Sequence, residues 1–518
     1  MARKRSEVVP AVPTAKRPRS RMYAGARISR LEADWVTAST SADAEISTSL
    51  VRLRDRARQL IRDNDYARAA LRSIVNNVVG TGIKLQAQVT MQRGRGRLDQ
   101  ATNGRIESAW ARWGRKTTCH TAGQLNWPDL ERLVMRSCAE VGEVFVRMVP
   151  QPFGNGRTPL ALEVLEADLL DERADGGHGS VPGQRQIEGG EWRLGIHVDQ
   201  WGRPVEYAFL KAHPGDTQRS GTDRRHVMVP ADQILHIKVV ERPGQNRGVT
   251  WFASAIKQLH QLEGYSEAEV VRARATSSLM GFVITDGDAA GEAMGEEQAD
   301  GDFVTQFEPG VWKTLFPGQR VEVPSLESTP MQFESYTRVI LRSVAAGLAC
   351  SYEATSKDFS QTNYSSSRLS LLEEREQWKA LQQQLIRDLH QPVFSAWLRA
   401  AVQSGELSLP GYETAPERYE DVMRWCPRGW EWTDPLKEGQ AFESAVRNGF
   451  MTRAEVVMSR GGDWNDTMQG LANEKALLDE LGLILDSDPS IVTDAGISQI
   501  TATGNAEPAT AKQGDAAP

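Results

Sequence analysis

From Ser366 to about Gln403 the chain holds one helical period: Leu369, Leu372, Trp378, Leu381, Leu385, Leu389, Val393 and Trp397 recur on one face, and Glu, Gln, Arg and Lys fill the other. At 1.5 Å per residue such a run spans roughly 55 Å, more than a small domain is wide, so a fold that contains it is organised around a rod. Pro392 lacks an amide hydrogen and its ring collides with the preceding turn, which predicts a kink there. Directly before the rod stands DFSQTNYSSS, from Asp358, a polar stretch rich in turn formers.

A chain of 518 residues exceeds one ordinary core, and two to four packed units are expected. The hydrophobic share of 40% and charged share of 25% are those of a globular protein. Cys119, Cys138, Cys350 and Cys426 show no CxxC or Cys/His ligand spacing, so they read as reduced, packed residues; His120 beside Cys119 is the one hint of a metal ligand. No window approaches the ~18 apolar residues of a transmembrane helix. MARKRSEVVPAVPTAKRPRSR has no apolar signal region, so no membrane partner is expected and the chain should stay in the cytosol where it is made. A net charge of -7 argues against broad gripping of nucleic acid, which needs clustered Lys and Arg.

Residues 1–50 form a basic, proline-bearing arm. Two readings fit it: contact with nucleic acid or an acidic partner, and a solvated disordered terminus. From Val51 to Val78 the apolar spacing predicts one core-facing helix ended by Gly80. After the extended IKLQAQV come the turn MQRGRGRLD, where Arg93, Arg95 and Arg97 fit an exposed turn or a phosphate contact, and a helix carrying Ile106, Trp110 and Trp113. Trp127-Pro128 opens a third helix. EVFVRMV, LALEVLEA, RLGIHVDQWGRPVEYAFLK and ILHIKVVE then read as strands, with a hairpin turn at DQWGR where Gly202 supplies positive φ.

WFASAIKQLHQLEGYSEAEVVRARATSSLM is helical, in one piece or two around Gly264, with His260 an ordinary helix-surface or packed residue. The acidic stretch Asp286 to Asp302 reads as a mobile loop; Glu296, Glu297, Asp300 and Asp302 lack ordered cation-ligand spacing. Short strands follow, then a helix from about Met331 to Ala349. Near the end, Asp434-Pro435, the capping box Thr452/Glu455 and the run Asp463 to Leu481 predict a small helical subdomain, and the tail from about Ser487 is low in large apolar residues.

Concentrated chemistry is missing from the motifs. There is no nucleophile elbow, HExxH or Walker loop, and there are only eight histidines, so the expectation is no enzyme, no cofactor and no catalytic or metal residues. A metal-dependent nuclease or packaging enzyme subunit, with carboxylates far apart in sequence, stays open as an alternative. So does a non-catalytic adaptor protein that uses the basic arm to bind nucleic acid.

Taken together, RARQLIRDNDYARAALRSIVNNVVGTGIKLQ, LEADLLDE, VDQWGRPVEYAF, RPGQNRGVTWFASAI, the stretch from Asp358 through LHQPVFSAWLRAAVQSGEL, and WEWTDPLKEGQA resemble the lambda-type family of phage portal proteins. The resemblance runs from Val51 to Leu485, leaving the arm, the tail and much of the acidic insert outside it. It implies a mixed α+β, helix-rich portal fold with wing, helical stem, clip and helical crown. The implied assembly is a closed homo-oligomeric ring of twelve subunits at one capsid vertex of the virion, put together in the host cytoplasm. Double-stranded DNA would pass through it during packaging and ejection. The implied partners are the terminase large subunit, a head-tail adaptor, and capsid and scaffold proteins.

On that pattern, 1–50 is the flexible arm; 51–250 the wing; 251–365 stem helices, clip-like strands, acidic insert and channel loop; 366–432 the long kinked helix and its wing/crown connection; 433–486 the crown; and 487–518 a disordered tail. The segment Ser351 to Ser365 is then expected to project into the lumen as a polar loop, with Lys357, Asp358, Ser360, Gln361, Thr362, Asn363, Tyr364, Ser365 and Arg368 meeting DNA. Lys357 and Arg368 fit transient phosphate contacts or salt bridges to Asp358 or Glu373.

Overall fold

Asn64 divides the first helical stretch in two. Its backbone is extended, its N–H donates to Leu60 O and its side-chain oxygen accepts from the amides of Tyr66 and Ala67, so Ala42–Asp63 (α1) ends where Asp65–Val78 (α2) is capped. The single helix expected from Val51 is therefore two, and the first begins nine residues earlier, where the Ser41 hydroxyl accepts from Ala44 N. The computed structural model describes residues 30, 37–91, 98–176, 190–216, 226–278, 282–285, 296–297, 303–304, 319–322, 330–360, 363–430 and 435–483. Arg93, Arg95, Arg97, Asp300, Asp302 and Asp434 lie outside them.

The remaining helices are Gln100–Trp113 (α3), Lys116–Cys119 (α4), Trp127–Val141 (α5), Ile256–Ser278 (α6), Pro330–Gly347 (α7), Tyr352–Ser356 (α8), Tyr364–Leu385 (α9), Gln391–Gln403 (α10), Glu417–Glu420 (α11), Pro435–Arg447 (α12), Arg453–Ser459 (α13) and Trp464–Leu481 (α14). Gly264 does not interrupt α6, and His260 is exposed on it. The strands are Lys84–Ala87 (β1), Glu143–Val149 (β2), Ala161–Leu165 (β3), Glu191–Arg193 (β4), Ile196–Val198 (β5), Pro204–Leu210 (β6), His226–Pro230 (β7), Ile234–Lys238 (β8), Phe282–Thr285 (β9), Glu296–Glu297 (β10), Phe303–Val304 (β11), Gln319–Glu322 (β12) and Met423–Cys426 (β13). This is the helix-rich mixed α+β chain that the sequence predicts. No described helix is long and apolar enough to cross a membrane.

Strand pairing is antiparallel throughout the described sheets. β3, β2 and β8 form one sheet in that order, and β4 to β7 form a meander. The β5–β6 turn matches expectation: Gly202 has φ 78°, and one Asp199 carboxylate oxygen accepts from the amides of Trp201 and Arg203. Phe145, Ile196, Tyr207, Phe209 and Val229 fill an apolar layer served by both sheets. Gly142 allows α5 to turn into β2 against the chain at Val249: its φ is 98°, and a Cβ there would fall 2.2 Å from the carbonyl carbon of Val249.

A larger core joins α1, α2, α3, α5, α9 and α10. Its centre is aromatic: the Trp110 ring lies 4.8–5.2 Å from those of Trp113, Trp127 and Trp397. Buried charge ties helices to sheets. Arg247, fully buried, donates from Nε to Glu143 at 2.8 Å and from Nη1 to Leu194 O at 2.9 Å, while His236 bonds the other Glu143 oxygen at 3.0 Å. Arg54 of α1 reaches Asp168 at 3.1 Å and Glu172 at 2.6 Å.

β1 pairs with β13, more than three hundred residues later, in the register Lys84↔Cys426 to Ala87↔Met423. Gln86 of β1 also donates to Asp463, which caps α14, so the C-terminal helices are anchored to the same strand.

Candidate functional site

The rod is continuous but not uniform. α9 passes into a π turn, Ile386–His390, and then into α10, which carries Pro392 in its first turn. A wider turn relieves the clash that a proline ring makes with the carbonyl four residues back, so the irregularity precedes the proline. His390 closes this turn twice: Nδ1 lies 3.1 Å from Leu385 O, and Nε2 donates to Glu131 of α5 at 2.8 Å. The second Glu131 oxygen accepts from Ile83 N at 3.1 Å.

Polar side chains also fix the first half of the rod. Gln382 donates to the carbonyls of Asn77 and Arg428 at 3.2 and 3.0 Å, and Gln384 donates to Lys238 O at 2.9 Å. Glu374 accepts from the Ser351 amide at 3.1 Å, which binds the segment before α9 to α9 itself.

That segment differs from the soft loop expected over Ser351 to Ser365. Ala349 takes φ 50° and ends α7, and Ser351 then caps α8 with its hydroxyl. Thr355 is buried and donates to Ser351 O at 3.2 Å, so 352–356 is a packed helical turn. The turn forms around the Ser351 cap, with Thr355 buried one turn later. Tyr364 and Ser365 belong to α9. Only the stretch between Ser356 and Tyr364 is left as connection, and Gln361 and Thr362 of it lie outside the described residues.

Within that connection, Lys357 is exposed and takes φ 60° at the end of α8. Asp358 accepts from Ser360 N and from the Tyr352 hydroxyl, each at 3.0 Å; hydrogen bonding from Ser360 and Tyr352 holds its carboxyl below the usual range. Ser360 and Asn363 are exposed. Arg368 pairs with Glu438 of α12 at 3.4 Å, which corrects the expected partners Asp358 and Glu373. Arg338 of α7 is the cation that approaches Asp358, at 4.0 Å.

Sequence reasoning missed Phe359, which is 66% exposed between Asp358 and Ser360. The available signal was an aromatic residue inside a polar run with no helical period to bury it.

The cysteines are packed. Burial pushes the Cys119, Cys138 and Cys350 thiols up to about 12, and His120 is engaged by the Gln124 and Leu125 amides through Nδ1. Among the described residues, Glu166, Asp168 and His213 come close enough to share a cation, but Arg54 and Arg58 already answer Asp168.

These contacts hold the helices and sheets around the long rod in place. Residues 29–382 match the family model described as phage portal protein, lambda family, and the chain belongs to that family. The match starts inside the arm that the resemblance had left outside. Similar proteins include the probable portal protein of Halomonas phage phiHAP-1, 26% identical over 92% of this chain and 90% of its own length. Portal protein B of Escherichia phage lambda is 20% identical over 90% and 91% respectively.

Among solved structures, a chain in the neck of a native GTA particle computed with C12 symmetry is 14% identical with a TM-score of 0.42, covering 80% of this chain and 93% of its own. A chain in the virion of a native gene transfer agent is 13% identical with a TM-score of 0.43, over 80% and 93%. By its family, the chain is a portal protein, a structural component of the phage virion.

Proposed function

We propose that copies of this chain close into a ring of twelve at one capsid vertex, and that double-stranded DNA passes through its bore during packaging and ejection. The observation that carries this reading is apolar surface on the long helices that stands exposed among the described residues. Val270 and Val271 on α6, Tyr336 and Val339 on α7, and Leu369 and Leu372 on α9 are all substantially exposed. Head-to-tail packing of identical copies covers such faces, and a rotation that closes leaves none over.

The stretch from Lys357 through Asp358, Ser360, Gln361, Thr362 and Asn363 to Tyr364, Ser365 and Arg368 lines the bore, with Phe359 at its exposed point. Arg368 is paired with Glu438, which leaves Lys357 as the exposed cation of this stretch among the described residues. Weak exchangeable hydrogen bonds suit passage better than fixed cations, each of which adds counterion-release affinity. On this reading 51–250 is the wing, 251–365 holds stem and clip, 366–432 is the long kinked helix, and 433–486 is the crown. The terminase large subunit, a head-tail adaptor, and capsid and scaffold proteins are its partners.

Electron microscopy of the purified chain tests the proposal. Rings with a central hole wide enough for a duplex are expected. A chain that stays single at high concentration, with capsid components present, overturns it.

A further inference from the structure

Away from the rod, a cleft of about 520 Å³ opens between the α3–α4 turn and the β2–β3 loop, lined by Arg112, Arg115, Thr117, Asn155, Arg157 and Glu406 among others. Its floor is fixed. Trp113 is buried and donates to Leu160 O at 2.8 Å, and Thr118 donates to Trp113 O at 2.6 Å. The loop wall is pressed against the turn at Gly154, where φ is 55° and a Cβ would stand 2.6 Å from Thr117 O. The cleft is therefore a preformed concavity, in the size range of about 300–1,000 Å³ usual for ligand sites.

Its charge is one-sided. Both oxygens of Glu406 are taken, one by Arg112 at 3.3 Å and the other by the Thr158 hydroxyl. Arg115 and Arg157 are exposed and, among the described residues, neither has a carboxylate within ion-pair distance. Two guanidinium forks thus meet solvent at the rim, with Thr117 and Asn155 adding neutral hydrogen-bonding groups. Such forks match planar carboxylates bidentately.

We propose that this cleft docks an acidic peptide segment of a partner protein, with its Asp or Glu carboxylates on Arg115 and Arg157. Duplex DNA fits less well, because its affinity for proteins accumulates over many phosphate contacts and the cleft offers two unanswered cations beside a buried carboxylate. An extended peptide presents one or two carboxylates to a concave site without that requirement. The proposal stands apart from the channel reading, since no residue of the connection before α9 takes part.

Fluorescence anisotropy of a labelled octaglutamate peptide against the full chain tests it. Saturable binding is expected, lost as salt rises from ~50 to ~300 mM and weakened roughly tenfold or more by Arg115→Glu with Arg157→Glu at unchanged melting temperature. If the charge-reversed chain does not fold, Arg115→Gln with Arg157→Gln serves in its place. Absence of saturable binding, equal binding by the double variant, or displacement of the peptide by a short DNA duplex at lower concentration than by unlabelled peptide overturns the proposal; the last outcome makes the cleft a nucleic-acid site.

Discussion

His390 and Glu131 form a hydrogen-bonded pair 2.8 Å apart in which neither side chain is reached by solvent. The edges of Trp127 and Trp425 close over the imidazole at 5.3 and 4.9 Å. Removing one member leaves the other buried and unpaired, so Glu131→Ala or His390→Ala is expected to cost about 3–5 kcal/mol. The double variant should cost less than the sum of the two, and a double-mutant cycle in denaturant measures the difference.

Leu385 is buried on the apolar face of the rod, and Leu381 of the same helix packs against the main core. Leu385→Ala is expected to lower stability by about 2–5 kcal/mol. Leu381→Asp with Leu385→Asp should leave no soluble folded chain, because two carboxylates would enter an apolar seam. Soluble yield and the denaturation midpoint check both.

Burial, with Lys238 nearby, pushes His236 down to about 4, so it sits neutral against Glu143. Between the ordinary histidine value near 6.5 and about 4, the unfolded chain takes up a proton that the folded chain refuses. Stability is therefore full above pH 6.5 and falls as pH drops toward 4, by about 3 kcal/mol from this residue. Arg247 pairs with the Glu143 carboxylate, and Lys238, which burial pushes down to about 8, stays protonated through that window. Denaturation midpoints measured across it should fall less steeply in His236→Gln.

The connection ahead of α9 tolerates change unevenly. Phe359→Ser is expected to leave folding and ring formation intact while lowering DNA packaging or retention in a complementation assay. Deletion of Thr355 to Ser360 is expected to destabilise the subunit as well, since Thr355 is buried in α8. Loss of rings in Phe359→Ser would assign the aromatic to subunit contact.

Gly142→Ala places a methyl group in the backbone of Val249 and forces a φ of 98° on an L residue. A loss of several kcal/mol is expected, on the order of 3 or more, read as a lower melting temperature.

Helices with an apolar stripe and a capping residue were legible in the sequence: Trp127-Pro128 and the Thr452/Glu455 box fall where the structure puts them. The break at Asn64 was not, because Leu60 to Ile74 keep a helical spacing across a residue that caps rather than continues. Pairing of β1 with β13 was invisible for another reason: a four-residue strand carries no record of a partner three hundred residues away.

The polar stretch before the rod was legible as a turn region, but its composition hid the packed half. Ser351 and Thr355 look like solvent-facing residues until a cap and a core are supplied. The buried Arg247, Glu143 and His236 came from three separate segments, and no local pattern joins them.

A helix that admits one extra residue in a turn rotates everything beyond it by about 100°. The five residues Ile386–His390 thereby set the azimuth at which Phe394 and Trp397 meet the tryptophan cluster, relative to Trp378 and Gln382 upstream. The element is a keyed shaft: trimming a single residue from that turn would leave its reach nearly unaltered and aim one end at the wrong neighbours.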